Sequence, residues 1–404
     1  MPIEIRPIEG DEVDALLVAD QRGFGGAPLR PDSSRSWAEG ELDRTRVAFE
    51  DGRIVGVSRT YSFELTMPGG ALLPAAAVSW VSVLPTHRRR GILTRMMAAM
   101  HDDARDRGES AAILTASESS IYGRFGYGVA AWRLGLAADR VHIRFSTPAN
   151  GGGRVRLVDR EEAKLVLPEI YERARLARAG MVSRPPFWWE QVYWDHFVAA
   201  TKACFFVIHS DGSGRDDGYV TYGMSMGGPP GSKRELSVID MQAESSATWI
   251  ALWRYLFGVD LVDRVKVINA PVDDPLRHVV VDSRRVETDA VHDHLWLAPL
   301  EPRGVLAARS YSVPGRVVIT TRLPDGSTST VAVESSEAGT NCEVVAGPTD
   351  ISCDSTVLGM CALGGNRWTE LADAGRVEVA RPEALARADA MFLTSPAPAL
   401  LSFF

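Results

Sequence analysis

The clearest pattern of hydrophobic and polar positions lies between residues 79 and 116. A short apolar run ends at Leu84, and a polar turn follows it. From Ile92 apolar residues recur every three or four positions, which is the period of an amphipathic helix. Gly108 is placed to end that helix, and the apolar run 111–116 is typical of a buried strand. The pattern therefore predicts a strand, a turn, a helix and a second, parallel strand.

The turn between this strand and this helix carries candidate chemistry, because it reads Arg88-Arg89-Arg90-Gly91. Backbone amides at a helix N-terminus lack partners inside the helix, and the helix dipole adds partial positive charge there. A phosphate or pyrophosphate fits such a place, and Gly91 allows a close approach because it has no Cβ. The turn is neither a Walker motif nor the three-glycine dinucleotide fingerprint. A solvated basic turn or a nucleic-acid contact is the alternative interpretation.

Strand and helix patterns divide the chain into three regions, at 1–137, 138–290 and 291–404. The second region contains a flexible joint at residues 150–153, and after this joint it repeats the element order of the first region. At the turn equivalent to the arginine turn it carries Glu244 and serines, and a carboxylate there would repel phosphate. The third region has strands followed by helices, which predicts an α+β domain.

Two local patterns predict structure rather than chemistry. Asp51-Gly52 lies between two apolar runs and predicts a β-hairpin. An aromatic cluster follows at Phe187-Trp188-Trp189, with Tyr193 and Trp194 close behind. Core packing or a subunit interface is favoured for this cluster over a ligand site.

Composition and charge narrow the class of protein. With 404 residues the chain is too long for one ordinary core. Its net charge of -8 argues against a dedicated nucleic-acid binder and favours cationic small molecules or peptides, unless it serves solubility alone. The four cysteines lack zinc spacing, so free thiols and no metal are expected. Neither a signal peptide nor a membrane-spanning stretch is visible, and we expect a cytoplasmic protein without a membrane partner.

Two sequence strings resemble those of a known family. The stretch Val81-Ser82-Val83-x-Pro85-Thr86-x-Arg88-Arg89-Arg90-Gly91 resembles the acetyl-CoA motif of GCN5-related N-acetyltransferases (GNAT), with the core (Arg/Gln)-x-x-Gly-x-(Gly/Ala). Leu93 departs from the last small position of that core. With Ala116-Ser117-Glu118 and Ile121-Tyr122-Gly123-Arg124-Phe125-Gly126-Tyr127-Gly128, the chain resembles Eis (enhanced intracellular survival)-type aminoglycoside acetyltransferases of mycobacteria and their actinobacterial relatives.

This resemblance implies a fold and a domain plan over essentially the whole chain. Two tandem GNAT-fold domains would come first, 1–137 active and 138–290 degenerate, in an α/β (α+β) architecture. A sterol-carrier-protein-like α+β domain at 291–404 would follow and supply the terminal carboxylate. Acetyl-CoA would be the cosubstrate, no metal would take part, and the assembly would be a homohexamer.

The resemblance also implies roles for individual residues. Tyr122 would be the general acid, and the terminal carboxylate of Phe404 would be the general base. Phe24 and Trp37 would contact the acceptor in the substrate cleft. Simple packing is the alternative for Tyr122, and a frayed tail is the alternative for Phe404. The positions expected to bind acetyl-CoA are Val81, Ser82, Val83, Arg88, Arg89, Arg90, Gly91, Ile92 and Ser117.

The expected reaction is direct acetyl transfer from acetyl-CoA to a primary amine of a small molecule. An aminoglycoside-like polyamine is one acceptor, although two acids of well-studied relatives are missing here, one near Phe24 and one at Phe403. A protein lysine or a small polyamine is a second kind of acceptor. A non-catalytic acyl-CoA-binding or lipid-binding protein is the alternative from another class.

Overall fold

The computed structural model describes residues 2–26, 40–148, 153–201, 203–225 and 233–404. The strands in these ranges form one sheet of twelve strands and one of five. Their bounds are β1 Glu4–Arg6, β2 Val47–Glu50, β3 Arg53–Thr66, β4 Leu72–Val83, β5 Ala111–Leu114, β6 Gly128–Asp139, β7 Arg154–Val158, β8 Cys204–Ser210, β9 Asp216–Met224, β10 Glu235–Ala243, β11 Arg264–Pro271, β12 Glu287–Pro299, β13 Gly315–Arg322, β14 Thr328–Ser336, β15 Gly339–Val344, β16 Ile351–Asp354 and β17 Val377–Val379.

Helices cover both sheets, and within the described ranges none is long and apolar enough to cross a lipid bilayer. A π-helix spans Trp188–Val198, and a short 3₁₀ turn spans Tyr122–Phe125. The α-helices are α1 Val13–Phe24, α2 Ile92–Asp106, α3 Arg160–Arg175, α4 Ser246–Gly258, α5 Leu276–Val279, α6 Pro302–Ala307, α7 Ser355–Cys361, α8 Trp368–Asp373 and α9 Glu383–Phe392.

The twelve-stranded sheet is built from two halves of similar order. Its strand order is β1-β2-β3-β4-β5-β12-β6-β11-β10-β9-β8-β7. The pairs β4–β5 and β10–β11 are parallel, and each is connected through a helix, α2 in the first half and α4 in the second. The halves exchange strands, because β6 pairs with β11 and β12 pairs with β5. Both halves therefore share one continuous sheet.

Strand β12 changes the expected division of the chain. The sequence divides the second and third regions between residues 290 and 291, and this point falls inside β12. The predicted strand at Leu295–Leu297 forms, but it pairs with β5 and β6 in the large sheet instead of joining the third region's sheet. The reason is its apolar end, which is buried on both faces as in a central strand. Of the predicted joint at 150–153, residues 150–152 lie outside the described residues.

Several local predictions are confirmed. Asp51 and Gly52 both have positive φ, as a tight hairpin turn requires, and they connect β2 to β3. Helix α2 buries its predicted face, from Ile92 to Ala104. The predicted aromatic cluster packs in the core, where the π-helix buries its tryptophans and Tyr193. The four cysteines are free thiols.

The third region forms its own layer and packs on the centre of the large sheet. Its strand order is β15-β14-β13-β16-β17, with helices α7 to α9 on its core. Helix α7 lies close against β6 and β12 because glycines allow it. A Cβ on Gly128 would lie 2.0 Å from the carbonyl oxygen of Thr356, and one on Gly359 would lie 2.1 Å from that of Leu297. This contact holds the third region behind the turn that carries Tyr122.

Candidate functional site

An opening in the sheet creates the site. Strands β4 and β5 pair only where residues 75–77 meet 111–113, and beyond that point they no longer pair. Beside the opening β4 is bulged, because Trp80 and Val81 stand opposite one residue of β3. Trp80 has a φ of 54°, a backbone conformation that is costly for a bulky residue and often found at functional sites. The bulge turns this part of β4 toward a cavity.

That cavity has a volume of about 400 Å³ and lies between α1, β4, the 3₁₀ turn, the π-helix and the end of the chain. It brings together residues that are far apart in sequence. The predicted site residues that line it are Phe24, Val81, Ser117, Tyr122 and Phe404. Phe24 is 55% exposed, as a residue at the mouth of a cleft would be. Trp37 lies outside the described residues.

The N-terminus of α2 fits a diphosphate group. Gly91 has a φ of 73°, and α2 begins there without a side-chain cap. A Cβ at Gly91 would find nothing within 4 Å, so the space over the turn is open. The first amides of this 15-residue helix thus face a gap that an anion can enter. The phosphate-binding role of the turn needs such an open helix start, and that role stays a prediction.

The three arginines of the turn differ in what their side chains do. Arg88 donates from Nε to the carbonyl oxygen of Val83 at 3.3 Å and from Nη2 to that of Gly23 at 3.1 Å. Arg90 forms an ion pair with Glu50, which lowers the pKa of that carboxyl to about 2. Arg89 is exposed and makes no hydrogen bond or ion pair with the described residues. Arg89 is therefore the side chain of the three that can turn toward a phosphate without breaking a described contact.

Other residues that are predicted to contact acetyl-CoA have side chains that pack or form hydrogen bonds inside the protein. The side chain of Ile92 is buried beside Met96, so only its backbone amide is available to a ligand. Ser82 is buried, and its hydroxyl donates to Asp20 Oδ1 at 3.3 Å. Val83 is partly buried against the same core as Ile92. The predicted acetyl-CoA contacts of these residues stay predictions.

Tyr122 is positioned by the short turn at Tyr122–Phe125. Its ring packs edge-on against Tyr127, with 6.0 Å between ring centroids. The third region supports the turn, because Thr356 Oγ1 donates to the carbonyl oxygen of Gly123 at 3.1 Å. Burial, with a smaller contribution from Glu118, raises the pKa of Tyr122 to about 12. The hydroxyl is therefore protonated at neutral pH and can donate into the cavity.

The C-terminal tail is held in the second half of the sheet by its backbone. The carbonyl oxygen of Leu401 accepts hydrogen bonds from Arg184 Nη2 at 2.9 Å and Gln242 Nε2 at 3.2 Å. Arg184 also donates from Nη1 to Asp240 Oδ2 at 2.6 Å. The side chains of Arg184, Gln242 and Asp240 all come from the second region, and all three are buried. The tail is thus anchored by a buried ion pair.

The next two residues of the tail are held in the same way. His294 Nε2 lies 3.2 Å from the carbonyl oxygen of Ser402, and Trp188 Nε1 donates to that of Phe403 at 2.9 Å. Burial lowers the pKa of His294 to about 3, so the ring is neutral and donates from Nε2. The ring of Phe404 then packs edge-on against Phe63 at 5.3 Å. With three successive carbonyls fixed, the last residue reaches the cavity of Tyr122.

Sequence reasoning missed seven polar residues among the described lining of this cavity, of which Gln21, Ser79 and Thr115 lie on α1, on β4 and directly after β5. Asp20 comes from α1, and Gln191, Asp195 and His196 come from the π-helix. The inward position of Asp20 could have been predicted, because it follows Val13, Leu16 and Leu17 at helical spacing on the inward face of α1.

The π-helix residues had no such signal. The segment is a π-helix, so a pattern based on the α-helical period places these residues on the wrong face. Their position at the cavity could therefore not be predicted from the sequence. Among the described residues, no group of three or more His, Cys, Asp and Glu is placed to hold a metal ion.

Comparison with known families agrees with this architecture. Residues 4–130 and residues 180–298 each match a family described as an acetyltransferase (GNAT) domain. Residues 303–401 match a family described as a sterol carrier protein domain.

Relatives match nearly the whole chain. The N-acetyltransferase Eis of Mycobacterium tuberculosis is 34% identical, with 90% of each chain covered. An uncharacterized N-acetyltransferase of Streptomyces griseus is also 34% identical, over 98% of this chain and 99% of its own. Among solved structures, Eis1 of Mycobacterium abscessus superposes with a TM-score of 0.89 at 35% identity, covering 99% of this chain and 100% of its own.

Proposed function

Since the chain belongs to the Eis-type N-acetyltransferases of the GNAT superfamily, we propose that it transfers an acetyl group from acetyl-CoA directly to a primary amine in the cavity beside Tyr122. The chain is an acetyltransferase, and GNAT acetyltransferases use acetyl-CoA. The proposal concerns the acceptor and the residues that act on it. One observation carries it, namely that a single cavity joins Tyr122, the chain terminus and the opening between β4 and β5.

The cavity and the nearby turn at the start of α2, which Arg88 joins to the end of α1, then divide the tasks of acetyl transfer. The amides at the start of α2 and the side chain of Arg89 hold the diphosphate of acetyl-CoA, which supplies the activated acetyl group. The bulged strand β4 offers backbone donors to the thioester oxygen, with the amide of Val83 as the predicted one. Tyr122 donates a proton to the sulfur as the carbon–sulfur bond breaks. The terminal carboxylate of Phe404 accepts a proton from the attacking amine.

The charges of the cavity support an amine acceptor. Asp20 and Asp195 line it together with the terminal residue, while His196 is the basic group among the described lining residues. Acidic walls attract ammonium groups and disfavour phosphates, which argues for a cationic small molecule over a nucleic acid. The acids that the resemblance leads one to expect near Phe24 and at Phe403 are absent, and Asp20 and Asp195 give the cavity acidic groups at other positions. An aminoglycoside-like polyamine therefore stays a candidate acceptor beside small polyamines and protein lysines.

The remaining expectations belong to the same proposal. They are a homohexamer, a cytoplasmic location, no metal requirement, and a division of labour in which the first domain is active. The buried tail supports the last point, because it directs the chain terminus toward the first domain.

The test measures thiol release from acetyl-CoA over a panel of amines that includes aminoglycosides, polyamines and lysine peptides. Replacing Tyr122 by phenylalanine should lower kcat about 100-fold while leaving the acetyl-CoA affinity unchanged, because only the leaving-group proton is lost. Because the pKa of Tyr122 is about 12, wild-type turnover should show no loss from this group as the pH rises from 7 to 10.

Tyr127→Phe is the matched control. Tyr127 is fully buried, and its hydroxyl lies 3.0 Å from His101 Nε2. Its loss should affect stability and leave kcat unchanged. Equal turnover of the wild type and Tyr122→Phe would remove Tyr122 as the acid. No thiol release with any amine would favour the alternative, a non-catalytic acyl-CoA-binding protein.

A further inference from the structure

The cavity contains a carboxylate that the proposed chemistry does not use. Asp20 lies on the inward face of α1, and its side chain lines the cavity together with Tyr122 and Phe404. A carboxylate has about four acceptor sites, and buried ones are normally filled. The described residues give Asp20 one hydrogen bond, from Ser82 at 3.3 Å. As far as the described residues go, the remaining acceptor sites of Asp20 are therefore open to a donor in the cavity.

The reaction itself needs more than one proton acceptor. An alkylamine is protonated at neutral pH and has no lone pair for attack until it loses a first proton. After attack on the thioester carbon the nitrogen is positively charged again and must lose a second proton. The terminal carboxylate can take one of these protons.

We propose that Asp20 binds the ammonium group of the acceptor and removes its first proton, leaving the second to the terminal carboxylate of Phe404. This inference rests on the proposed amine acetylation. It assigns the two carboxylates to two successive steps on one nitrogen atom. It also names the acceptor class, a primary amine that arrives in its cationic form.

The protons and bonds of this sequence balance. The ammonium gives a proton to Asp20, and the nitrogen–carbon bond forms. The carbon–sulfur bond breaks as Tyr122 gives its proton to sulfur. The terminal carboxylate takes the second proton from nitrogen, one acidic proton returns to Tyr122, and the other leaves to water. The net products are an acetamide, the free thiol of CoA and one proton.

The surroundings of Asp20 suit a base that works near neutral pH. Burial raises the pKa of Asp20 to about 7, while Ser82 and Arg59 limit the rise. The carboxyl therefore changes its protonation state in the physiological range, which favours proton transfer. The charged and titratable groups around it are Arg59 and the buried Tyr61 on β3, Tyr122 on the 3₁₀ turn, Asp195 and His196 on the π-helix, and the terminal carboxylate of Phe404.

The test compares two acceptors, an alkylamine and an acyl hydrazide, which is already neutral at neutral pH. Asp20→Asn keeps the shape of the side chain and removes the base. It should lower kcat/KM about 100-fold for the alkylamine and leave the hydrazide rate near that of the wild type. Adding two residues after Phe404 should slow both acceptors, because the nitrogen of each must lose a proton after its attack on the thioester. Asp14→Asn, on the exposed side of α1, is the matched control and should change neither rate.

A second variant checks the assignment without removing the base. Ser82→Ala removes the hydroxyl that holds the pKa of Asp20 down. Asp20 acts when ionised, so activity is lost as the pH falls through its pKa. The acidic limb of the alkylamine pH profile should therefore move to higher pH in Ser82→Ala and disappear in Asp20→Asn.

The outcomes separate this inference from the proposal on which it rests. If Asp20→Asn slows both acceptors equally, or neither, Asp20 is not the first base, while a slow Tyr122→Phe variant still supports amine acetylation. An unmoved acidic limb in Ser82→Ala contradicts the assignment as well. If the wild-type enzyme acetylates neither acceptor nor any amine of the panel, both proposals fail together.

Discussion

The two halves of the twelve-stranded sheet offer the same opening and fill it differently. In the first half, β4 and β5 diverge around a cavity of about 400 Å³. In the second half, Leu401 of the tail occupies the equivalent gap between β10 and β11 and leaves a space of about 10 Å³ there, while cavities of about 440 and 380 Å³ lie beside the tail. Each parallel strand pair thus diverges into a cleft. The cleft of the first half is open to a cosubstrate, and that of the second half holds the chain's own tail.

The helices that follow the two strand pairs show the same contrast. Helix α2 starts at Gly91 without a side-chain cap, whereas α4 starts at Ser245, whose hydroxyl accepts from the amide of Thr248 at 3.1 Å. Directly before Ser245, Glu244 is paired with Arg173 at 2.7 Å. The capped amide is no longer free to donate to a phosphate, and the neighbouring carboxylate repels one. The second half therefore has the geometry of a cofactor site without its chemistry.

The largest expected effect comes from releasing the tail. Arg184→Met removes one of the two donors to the carbonyl oxygen of Leu401 and leaves Asp240 buried without its cation. The free energy of unfolding should fall by about 3–5 kcal/mol, as is typical for breaking a buried ion pair. Because the terminal carboxylate then loses its fixed position, kcat should fall about 100-fold with the acetyl-CoA affinity unchanged. Denaturant unfolding, calorimetry and steady-state kinetics measure the three quantities.

Two variants test whether the loss comes from the tail. Gln242→Leu removes one donor to Leu401 without removing a charge and should lower kcat with a smaller cost in stability. Arg173→Met, whose side chain pairs with Glu244 and does not contact the tail, is the matched control and should keep full activity. A normal kcat in Gln242→Leu and in a folded Arg184→Met would show that holding the tail has no part in catalysis.

The first half of the sheet could largely be predicted from the sequence, and the tail could not. The period of α2, the Asp51-Gly52 turn and the glycine at residue 91 are local signals, so short windows of sequence contain them. The contacts of Leu401 with Arg184 and Gln242 join residues more than 150 positions apart and leave no periodic trace. The exchange of β6 and β12 between halves is likewise decided by long-range pairing. The family resemblance implied the role of general base for the chain terminus, but only the structure shows which residues hold the tail in place.

A smaller effect is expected at the arginine turn before α2, in the first half of the sheet. Gly91→Ala places a Cβ on a residue with a φ of 73°, which costs about 1–2 kcal/mol of stability. It also fills the open space over the amides, so the dissociation constant of acetyl-CoA should rise about tenfold. Gly108→Ala is the matched control, because it has a φ of 78° and open space at the other end of the same helix. Both variants should lose similar stability, and equal acetyl-CoA affinity in the two would contradict phosphate binding at Gly91.

The smallest expected effect lies at the equivalent turn of the second half. Ser245→Ala removes the cap of α4 and should lower the free energy of unfolding by about 1 kcal/mol. Because this turn is proposed to bind no phosphate, the acetyl-CoA affinity and kcat should stay at wild-type values, in contrast to Gly91→Ala. Thermal unfolding and calorimetry on the same sample make the comparison. A change of acetyl-CoA affinity in Ser245→Ala would mean that the second half has kept a cofactor site, because a lost cap alone acts on stability and not on a ligand in the other half of the sheet.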